Sequence, residues 1–330
     1  MRQLAMVMDL NKCLGCQTCT MACKTQWTNR NGREYMYWNN VETQPGKGYP
    51  RNYMNLHAGW NKDGTLKTGE LPDLEKDYGS PWDYNYEEMM TGASDTLKPD
   101  KQPTWGPNWD EEQGAGKYPN AYYFYLPRIC NHCTNPACLA ACPQKAIRKR
   151  EEDGIVLVDL TLCRGFRLCI RSCPYKKVYF NHALLNKEKN IIGQSEKCIF
   201  CYPRVEKGIP PACAKQCVGR IRHVSFLEDE DGPVYKLAVK WKVALPLRAD
   251  FGTIPNVFYV PPLSPPAFDK EGNPTDKPRI PDDYLEYLFG AEVKRVLETL
   301  KSETEKKSKG EKSEIMDTLI AFEHKKMFRL

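Results

Sequence analysis

Fifteen cysteines in four tight groups constrain this 330-residue chain more than any other feature of its sequence. No cysteine lies outside the groups, which are Cys13, Cys16, Cys19 and Cys23; Cys130, Cys133, Cys138 and Cys142; Cys163, Cys169 and Cys173; and Cys198, Cys201, Cys213 and Cys217. Disulfide frameworks need an even number of cysteines and are typical of short secreted chains. The odd count and the local spacing therefore indicate metal binding rather than disulfide bonding.

The first group has the spacing C-x2-C-x2-C-x3-C of bacterial ferredoxins. In that pattern three sulfurs surround one iron–sulfur cluster, and the fourth cysteine reaches a second cluster. Cysteines two residues apart also occur in structural zinc sites, which take four ligands in a tetrahedron. Groups that overlap this closely would crowd a tetrahedral ion. We therefore interpret them as iron–sulfur ligands, with zinc as the alternative.

The chain contains an internal repeat, in which residues 8–13 align with residues 158–163. The cysteine spacing of the first group continues through the third, except that Phe166 stands where the first group has Cys16. The second and fourth groups align through the shared sequence Pro-Ala-Cys at residues 136–138 and 211–213. An iron without a protein thiolate is the one most easily lost, so the group with Phe166 predicts a [3Fe–4S] cluster.

Exchange of the fourth cysteine predicts which groups share a cluster. We expect three [4Fe–4S] clusters, held by Cys13, Cys16, Cys19 and Cys217; by Cys23, Cys198, Cys201 and Cys213; and by Cys130, Cys133, Cys138 and Cys173. We expect the single [3Fe–4S] cluster to be held by Cys142, Cys163 and Cys169. Iron bound through these cysteines is the only metal that the sequence predicts.

The fold class predicted from these patterns is α+β, with two ferredoxin-like units related by the internal repeat. The outer unit comprises residues 1–23 and 190–235, and the inner unit comprises residues 126–189. Residues 24–125 form a long irregular insertion rich in aromatic residues, which we interpret as a subunit interface, with a self-packed loop as the alternative. Residues 236–330 are predicted as an extended proline-rich arm followed by C-terminal helices.

Shorter patterns predict individual elements. Residues 146–158 and 220–235 have the features of β-hairpins, and residues 235–247 have those of a strand. Apolar residues at helical spacing indicate a helix over residues 281–300 and a short helix over residues 315–327. The highly charged residues between these helices, 301–312, are predicted as a solvated linker.

Other functional classes lack their sequence signatures. No apolar run reaches the 18 or so residues that a membrane helix needs, so no direct membrane span is expected. The residues before Cys13 leave no room for a secretory signal, so no export signal is expected in the chain itself. We find no nucleotide-binding loop, nucleophile constellation or H-E-x-x-H site. An electron-transfer protein is therefore favoured over an independent enzyme, and no catalytic residue is predicted.

Basic residues crowd the inner unit of a chain whose net charge is +6. They are Lys145, Arg148, Lys149, Arg150, Arg164, Arg167, Arg171, Lys176 and Lys177. Thiolate-ligated clusters are anionic, so we interpret this charge as compensation and expect no nucleic-acid partner. His132 lies between two cysteines, where it either tunes a cluster or is a surface histidine.

The chain resembles the iron–sulfur β subunits of molybdenum enzymes in the dimethyl sulfoxide reductase family. Its closest resemblance is to the branch containing dimethylsulfide dehydrogenase, ethylbenzene dehydrogenase, selenate reductase and (per)chlorate reductase. β subunits of the nitrate reductase and nitrite oxidoreductase type are the alternative, as is a free polyferredoxin. The resemblance runs over nearly the whole chain and is carried by residues 9–13, 35–43, 128–133, 241–247 and 255–262.

The resemblance implies a heterotrimer. Its α subunit would carry a molybdenum bis-guanine-dinucleotide cofactor, and its γ subunit would carry haem b. In this branch the folded β subunit is commonly exported to the periplasm with α, whereas a cytoplasmic location is the alternative. The resemblance also implies that the N-terminal cluster faces α and that the three-iron cluster faces the haem. The chain would then relay electrons between them.

Overall fold

The largest sheet is built around the N-terminal strand. The computed structural model describes residues 2–74, 76–78, 114–184 and 191–330. Within these residues the architecture is mixed α/β, as the sequence predicts. The strands are β1 (Leu4–Asp9), β2 (Asn40–Gln44), β3 (Gly59–Trp60), β4 (Leu66–Lys67), β5 (Phe124–Arg128), β6 (Ile147–Lys149), β7 (Val156–Val158), β8 (Val178–Asn181), β9 (Gln194–Lys197), β10 (Arg222–Phe226), β11 (Leu245–Pro246), β12 (Val257–Val260), β13 (Pro266–Phe268), β14 (Pro274–Pro278) and β15 (Phe328–Arg329).

Strand β1 has an apolar sequence and is buried along its whole length, which suits a central strand. Its sheet has the order β11-β12-β1-β10-β15. Strand β10 runs antiparallel to β1, with Leu4 opposite Phe226, and β12 runs parallel to β1 on the other side. This sheet therefore joins the start of the chain to segments more than 200 residues away.

Four of the other strand pairs hold the cysteine segments in place or close the hairpins between them. They are β2 with β5, β3 with β4, β6 with β7, and β8 with β9, all antiparallel. The β6–β7 pair confirms the hairpin predicted for residues 146–158. A further hairpin, β13–β14, lies in the C-terminal part of the chain.

The second predicted hairpin is wrong. Only β10 forms within residues 220–235, and its partners are β1 and β15 rather than a neighbouring strand. The strand predicted for residues 235–247 is also wrong, because Tyr235–Lys240 is a π-helical turn and only the short β11 follows. The helical turn buries Val234 and Leu237, three residues apart, in the core beside the sheet. Burial of this pair overrides the local preference for extended structure.

Short helices carry many of the cysteines, and longer helices lie near the C-terminus. The helices are α1 (Thr18–Cys23), α2 (Ala137–Ala140), α3 (Leu168–Ser172), α4 (Tyr202–Val205), α5 (Ala212–Lys215), α6 (Asp282–Phe289), α7 (Val293–Ser308) and α8 (Glu314–Ile320). Helix α1 packs against α5, and α2 packs against α3.

The predicted helix over residues 281–300 is two helices, because the chain turns at Gly290, whose φ of 84° is accessible mainly to glycine. The predicted linker over residues 301–312 is wrong, since α7 continues to Ser308. Lysine and glutamate are good helix formers, and the Lys306–Glu303 ion pair lies one turn apart. The last predicted helix is shorter than residues 315–327 and ends at Ile320.

The insertion and the arm are both partly built into the core. Met36, Tyr37, Trp38 and Tyr49 are buried in one cluster with Tyr179 and two cysteines. Three of the tryptophans predicted to mark an interface, Trp82, Trp105 and Trp109, lie outside the described residues. Within the predicted arm, β12 is paired on both sides in the main sheet.

Candidate iron–sulfur sites

Three cavities in the structure are each lined by four cysteines. Site 1 is lined by Cys13, Cys16, Cys19 and Cys217; site 2 by Cys23, Cys198, Cys201 and Cys213; and site 3 by Cys130, Cys133, Cys138 and Cys173. Each cavity takes three cysteines from one group and the fourth from another group. Residues of the two paired groups therefore meet although the groups lie far apart in the sequence.

A fourth group of neighbouring cysteines, site 4, consists of Cys142, Cys163 and Cys169. Burial raises the pKa of Cys169 to about 12, and the nearby Cys163 and Cys142 contribute to the rise. Phe166 lies in the loop between Cys163 and helix α3, and 58% of its side chain is exposed. The Phe166 ring therefore lies at the protein surface and is not packed in the interior.

Left-handed backbone positions shape the loops that carry the cysteines. Gln17 and Arg167, which directly precede α1 and α3, have φ values of 57° and 59°. Gly15, between Cys13 and Cys16, has a φ of 65° and lies so close to the Tyr125 ring that a Cβ would be 2.5 Å from it. These sharp turns allow successive sulfurs of one short segment to face the same cavity.

N–H donors point at several of the sulfurs. The Phe200 amide donates to Cys198 Sγ at 3.4 Å, and the Trp27 indole Nε1 donates to Cys201 Sγ at 3.1 Å. At site 4 the Ala146 amide donates to Cys142 Sγ at 3.3 Å. Hydrogen bonds of this kind stabilise thiolates and tune cluster potentials.

Ser195 contacts two cysteines of site 4. Its amide donates to Cys163 Sγ at 3.5 Å, and the Cys169 thiol donates to its Oγ at 3.3 Å. When Cys169 is a thiolate, the same hydroxyl can donate in the other direction. Site 4 therefore has a neutral hydroxyl group beside its sulfurs.

Two buried cations also bind cysteine sulfurs. Lys197 Nζ donates to Cys130 Sγ at 3.4 Å, and Arg222 Nη2 donates to Cys19 Sγ at 3.3 Å. Lys197 is 2% exposed and Arg222 is fully buried. Positive charge at this position favours anionic sulfur and anionic clusters.

Burial raises the pKa of several of the free thiols. It raises the pKa of Cys13 to about 11 and that of Cys133 to about 12. Ligation requires the thiolate, so binding of iron must release protons and is favoured by higher pH. Thiol-only donor sets, N–H donors aimed at sulfur and buried cations together fit anionic iron–sulfur clusters. Within the described residues, no three His, Cys, Asp or Glu side chains are arranged to hold a single metal ion.

Comparison with known proteins gives a consistent picture. Residues 121–226 match the 4Fe-4S dicluster domain family. The chain is 62% identical over 330 residues to dimethylsulfide dehydrogenase subunit beta of Rhodovulum sulfidophilum, covering 100% of this chain and 99% of the relative. It is 60% identical to selenate reductase subunit beta of Thauera selenatis and 58% identical to chlorate reductase subunit beta of Ideonella dechloratans, with 98% of each chain covered in both cases.

The chain belongs to the iron–sulfur β subunits of molybdenum oxidoreductases. This β subunit transfers electrons within a complex whose catalytic subunit is a separate chain, as its relatives' names as β subunits indicate. Electron transfer in a complex is therefore favoured over a free polyferredoxin. Among the residues that the structure describes, no helix is both long and apolar enough to cross a bilayer.

Sequence reasoning missed several residues whose side chains hydrogen-bond to the cysteine sulfurs, among them Trp27, Ser195, Lys197 and Arg222. Lys197 directly precedes Cys198, which is a weak signal, and nothing in the local sequence marks Arg222. Among the basic residues predicted to compensate cluster charge, Lys149 lies near Cys133 and Cys130 of site 3.

His132 is fully buried and lines the cavity of site 3, so the alternative of a surface histidine is wrong. Its Nδ1 accepts a hydrogen bond from the Val156 amide at 3.1 Å. A neutral His132 therefore carries its proton on Nε2. The ring also makes an edge contact with Phe200, which lines the cavity of site 2.

Proposed function

We propose that this β subunit carries [4Fe–4S] clusters in sites 1, 2 and 3 and a [3Fe–4S] cluster in site 4. In the complex, it relays electrons between a molybdenum bis-guanine-dinucleotide α subunit and a haem b γ subunit. The observation that carries the proposal is the gathering of four cysteines around each of three cavities, with three more cysteines grouped beside Phe166. The bound clusters supply one-electron oxidation and reduction, and the cysteine sulfurs hold them.

Two ferredoxin-like units related by the internal repeat account for the packing of the short helices. The outer unit, residues 1–23 and 190–235, contains the α1–α5 contact, and the inner unit, residues 126–189, contains the α2–α3 contact. The β1–β10 pair of the outer unit has a counterpart in the β6–β7 pair of the inner unit. The insertion at 24–125 and the region 236–330 surround these units.

Exposed apolar side chains at sites 1 and 4 support their role as the two ends of the relay. At site 1, Leu14 and Val218 line the cavity and are each 62% exposed. At site 4, Phe166 is 58% exposed, and Ile192 is 61% exposed next to Gly193, whose carbonyl lies against Gly165. Exposed apolar patches are typical of protein interfaces. With the resemblance, which implies that site 1 faces α and that site 4 faces the haem, the proposed order is α subunit, site 1, site 2, site 3, site 4 and haem b.

The proposed location is the periplasm, reached by export of the folded β subunit together with α. The support for it is the resemblance to the dimethylsulfide dehydrogenase branch, and the cytoplasm is the alternative. Fractionation of cells that express the whole complex distinguishes the two, because a periplasmic complex is released with the periplasmic marker enzymes.

The relay is tested with Cys169→Ser in the complete complex. The wild-type β subunit should contain about 15 iron atoms, three fours and a three, and show the electron paramagnetic resonance (EPR) signal of an oxidised [3Fe–4S] cluster. The variant should lose that signal and stop electron exchange between substrate and haem b, while substrate still exchanges electrons with site 1. If substrate still reduced or oxidised haem b normally in an intact variant complex, the proposed order of the sites would be wrong. If the wild-type protein contained zinc and no iron, the proposed clusters would be wrong.

A further inference from the structure

Arg222 lies between sites 1 and 2. It donates to Cys19 Sγ, which belongs to site 1. It also donates to Asn39 Oδ1 at 2.7 Å and contacts Met6 Sδ at 3.7 Å, and Asn39 and Met6 both line the cavity of site 2. The guanidinium therefore touches the walls of both sites, and its strand β10 is fixed by its pairing with β1.

Lys197 lies in the corresponding gap between sites 2 and 3. It donates to Cys130 Sγ and to the carbonyl oxygen of Val156, and both residues line the cavity of site 3. It also donates to the carbonyl oxygen of Cys198, a cysteine of site 2, at 3.1 Å. Each gap among the first three sites thus holds one buried cation.

Neither cation has an acidic partner within the described residues. Arg222 is held by Asn39 and sulfur atoms, and its Nε has no hydrogen-bond partner there. Lys197 is held by carbonyl oxygens and sulfur. A buried charge without a counter-charge costs several kcal/mol. A buried carboxylate would have removed that cost, as Glu42 does for Arg128, where both side chains are at most 2% exposed.

We propose that Arg222 and Lys197 are shared counter-ions, each raising the reduction potentials of the two clusters that flank it. This inference rests on the proposed clusters in sites 1, 2 and 3. Adding an electron to a cluster adds negative charge, and a fixed cation in a low-dielectric gap favours that state on both sides. Site 2 lies next to both Arg222 and Lys197, so both cations act on its reduced state.

The test is an EPR-monitored redox titration of the purified complex with Arg222→Gln and Lys197→Gln. Each potential is assigned to its site through the signal that a cysteine variant of that site removes. We expect Arg222→Gln to lower the potentials of sites 1 and 2, and Lys197→Gln to lower those of sites 2 and 3. Both variants should leave site 4 unchanged.

Lys215→Gln is the matched control. Lys215 lies on α5 between Cys213 and Cys217 but is exposed, so solvent screens its charge and the potentials should stay unchanged. Arg222→Lys keeps the charge and should keep most of the wild-type potential at site 2. A shift at site 2 that is equally large in Arg222→Lys and Arg222→Gln would overturn the role of charge.

Asn39→Asp covers the case in which Arg222→Gln fails to assemble. The aspartate has nearly the same shape, still accepts from Arg222 and neutralises it, so it should lower the potentials of sites 1 and 2. Intact cluster signals with no shift at site 2 in the assembled variants would overturn the inference and leave the proposed clusters standing. Absence of iron–sulfur signals from the wild-type complex would instead overturn the proposed function.

Discussion

Sites 1 and 2 differ in the exposure of their cysteines although the same two helical segments contribute to both. Helix α1 carries Cys19 of site 1 and Cys23 of site 2, and α5 carries Cys213 of site 2 four residues before Cys217 of site 1. All four cysteines of site 2 are buried, whereas Cys16 of site 1 is exposed. One scaffold therefore produces an insulated site and an accessible site a few residues apart.

Sites 3 and 4 differ instead in the charge of the groups around their sulfurs. Site 3 has Lys197 at its sulfur and the buried His132 in its wall, whereas the described residues that bond to the sulfurs of site 4 are neutral. Phe166 and Ile192 are exposed near site 4. Buried cations therefore lie at sites 1, 2 and 3, and exposed apolar side chains lie at sites 1 and 4. This arrangement suits the proposed relay, which would accept electrons at one surface and deliver them at another.

The largest expected effect comes from removing a shared ligand. Cys217→Ser should abolish the cluster of site 1 and lower the iron content by about four atoms, because Cys217 completes the N-terminal site. Ligand binding here is coupled to folding, so the stability of the outer unit should also fall. Iron analysis and EPR measure the loss.

Cys213→Ser, on the helix α5 that ends two residues before Cys217, is the matched variant. It should remove the cluster of site 2 instead, because Cys213 lines that cavity. The two variants should therefore lose different EPR signals, that of site 1 in Cys217→Ser and that of site 2 in Cys213→Ser. If Cys217→Ser removed the site 2 signal and spared that of site 1, the assignment of ligands to the two sites would be mistaken.

Phe166→Cys should change one iron rather than a whole cluster. The exposed position beside Cys163 and α3 leaves room for a thiolate, so site 4 should gain an iron and become [4Fe–4S]. The EPR signal of the oxidised [3Fe–4S] cluster should then disappear. Phe166→Leu supplies no ligand and should keep the three-iron signal. Persistence of that signal in an assembled Phe166→Cys complex would mean that the ring does not stand at the missing ligand.

The cysteines that the spacing assigns to one cluster line one cavity at each of sites 1, 2 and 3, because a short segment with this spacing can turn several sulfurs to the same side. The sequence did not reveal that β10 pairs with β1, since Leu4 and Phe226 are brought together only by the complete sheet. That pairing buries Arg222, so its role could not be read from local sequence. Lys197 resembled any lysine beside a cysteine until its burial between two sites was known.

The wrong predictions have a related cause. Residues 220–247 were assigned from local strand preference, but the chain buries Val234 and Leu237 against a core assembled from distant segments. Residues 301–312 were assigned from charge, which does not distinguish a solvated linker from an exposed helix. Local preference and charge carry no information on this long-range packing, which decided the structure of both segments.

The smallest expected effect concerns the hydrogen bond that Trp27 gives to site 2. Trp27→Phe keeps an aromatic ring but removes the N–H donor to Cys201 Sγ, so the potential of site 2 should fall slightly. A net hydrogen bond contributes about 1 kcal/mol, and only the part that differs between oxidised and reduced states shifts the potential. Redox titration of the complex measures the shift.

Trp60→Phe is the control for Trp27→Phe, because the Trp60 indole donates to the carbonyl oxygen of Asn135 rather than to sulfur. It should leave all potentials unchanged. The comparison between Trp27→Phe and Arg222→Gln then ranks the two effects at site 2. A buried charge favours the reduced state of every nearby cluster through its long-range field, whereas the N–H donor acts on one sulfur of one cluster. A Trp27→Phe shift as large as that of Arg222→Gln would mean that sulfur hydrogen bonding matters as much as buried charge for the potential of site 2.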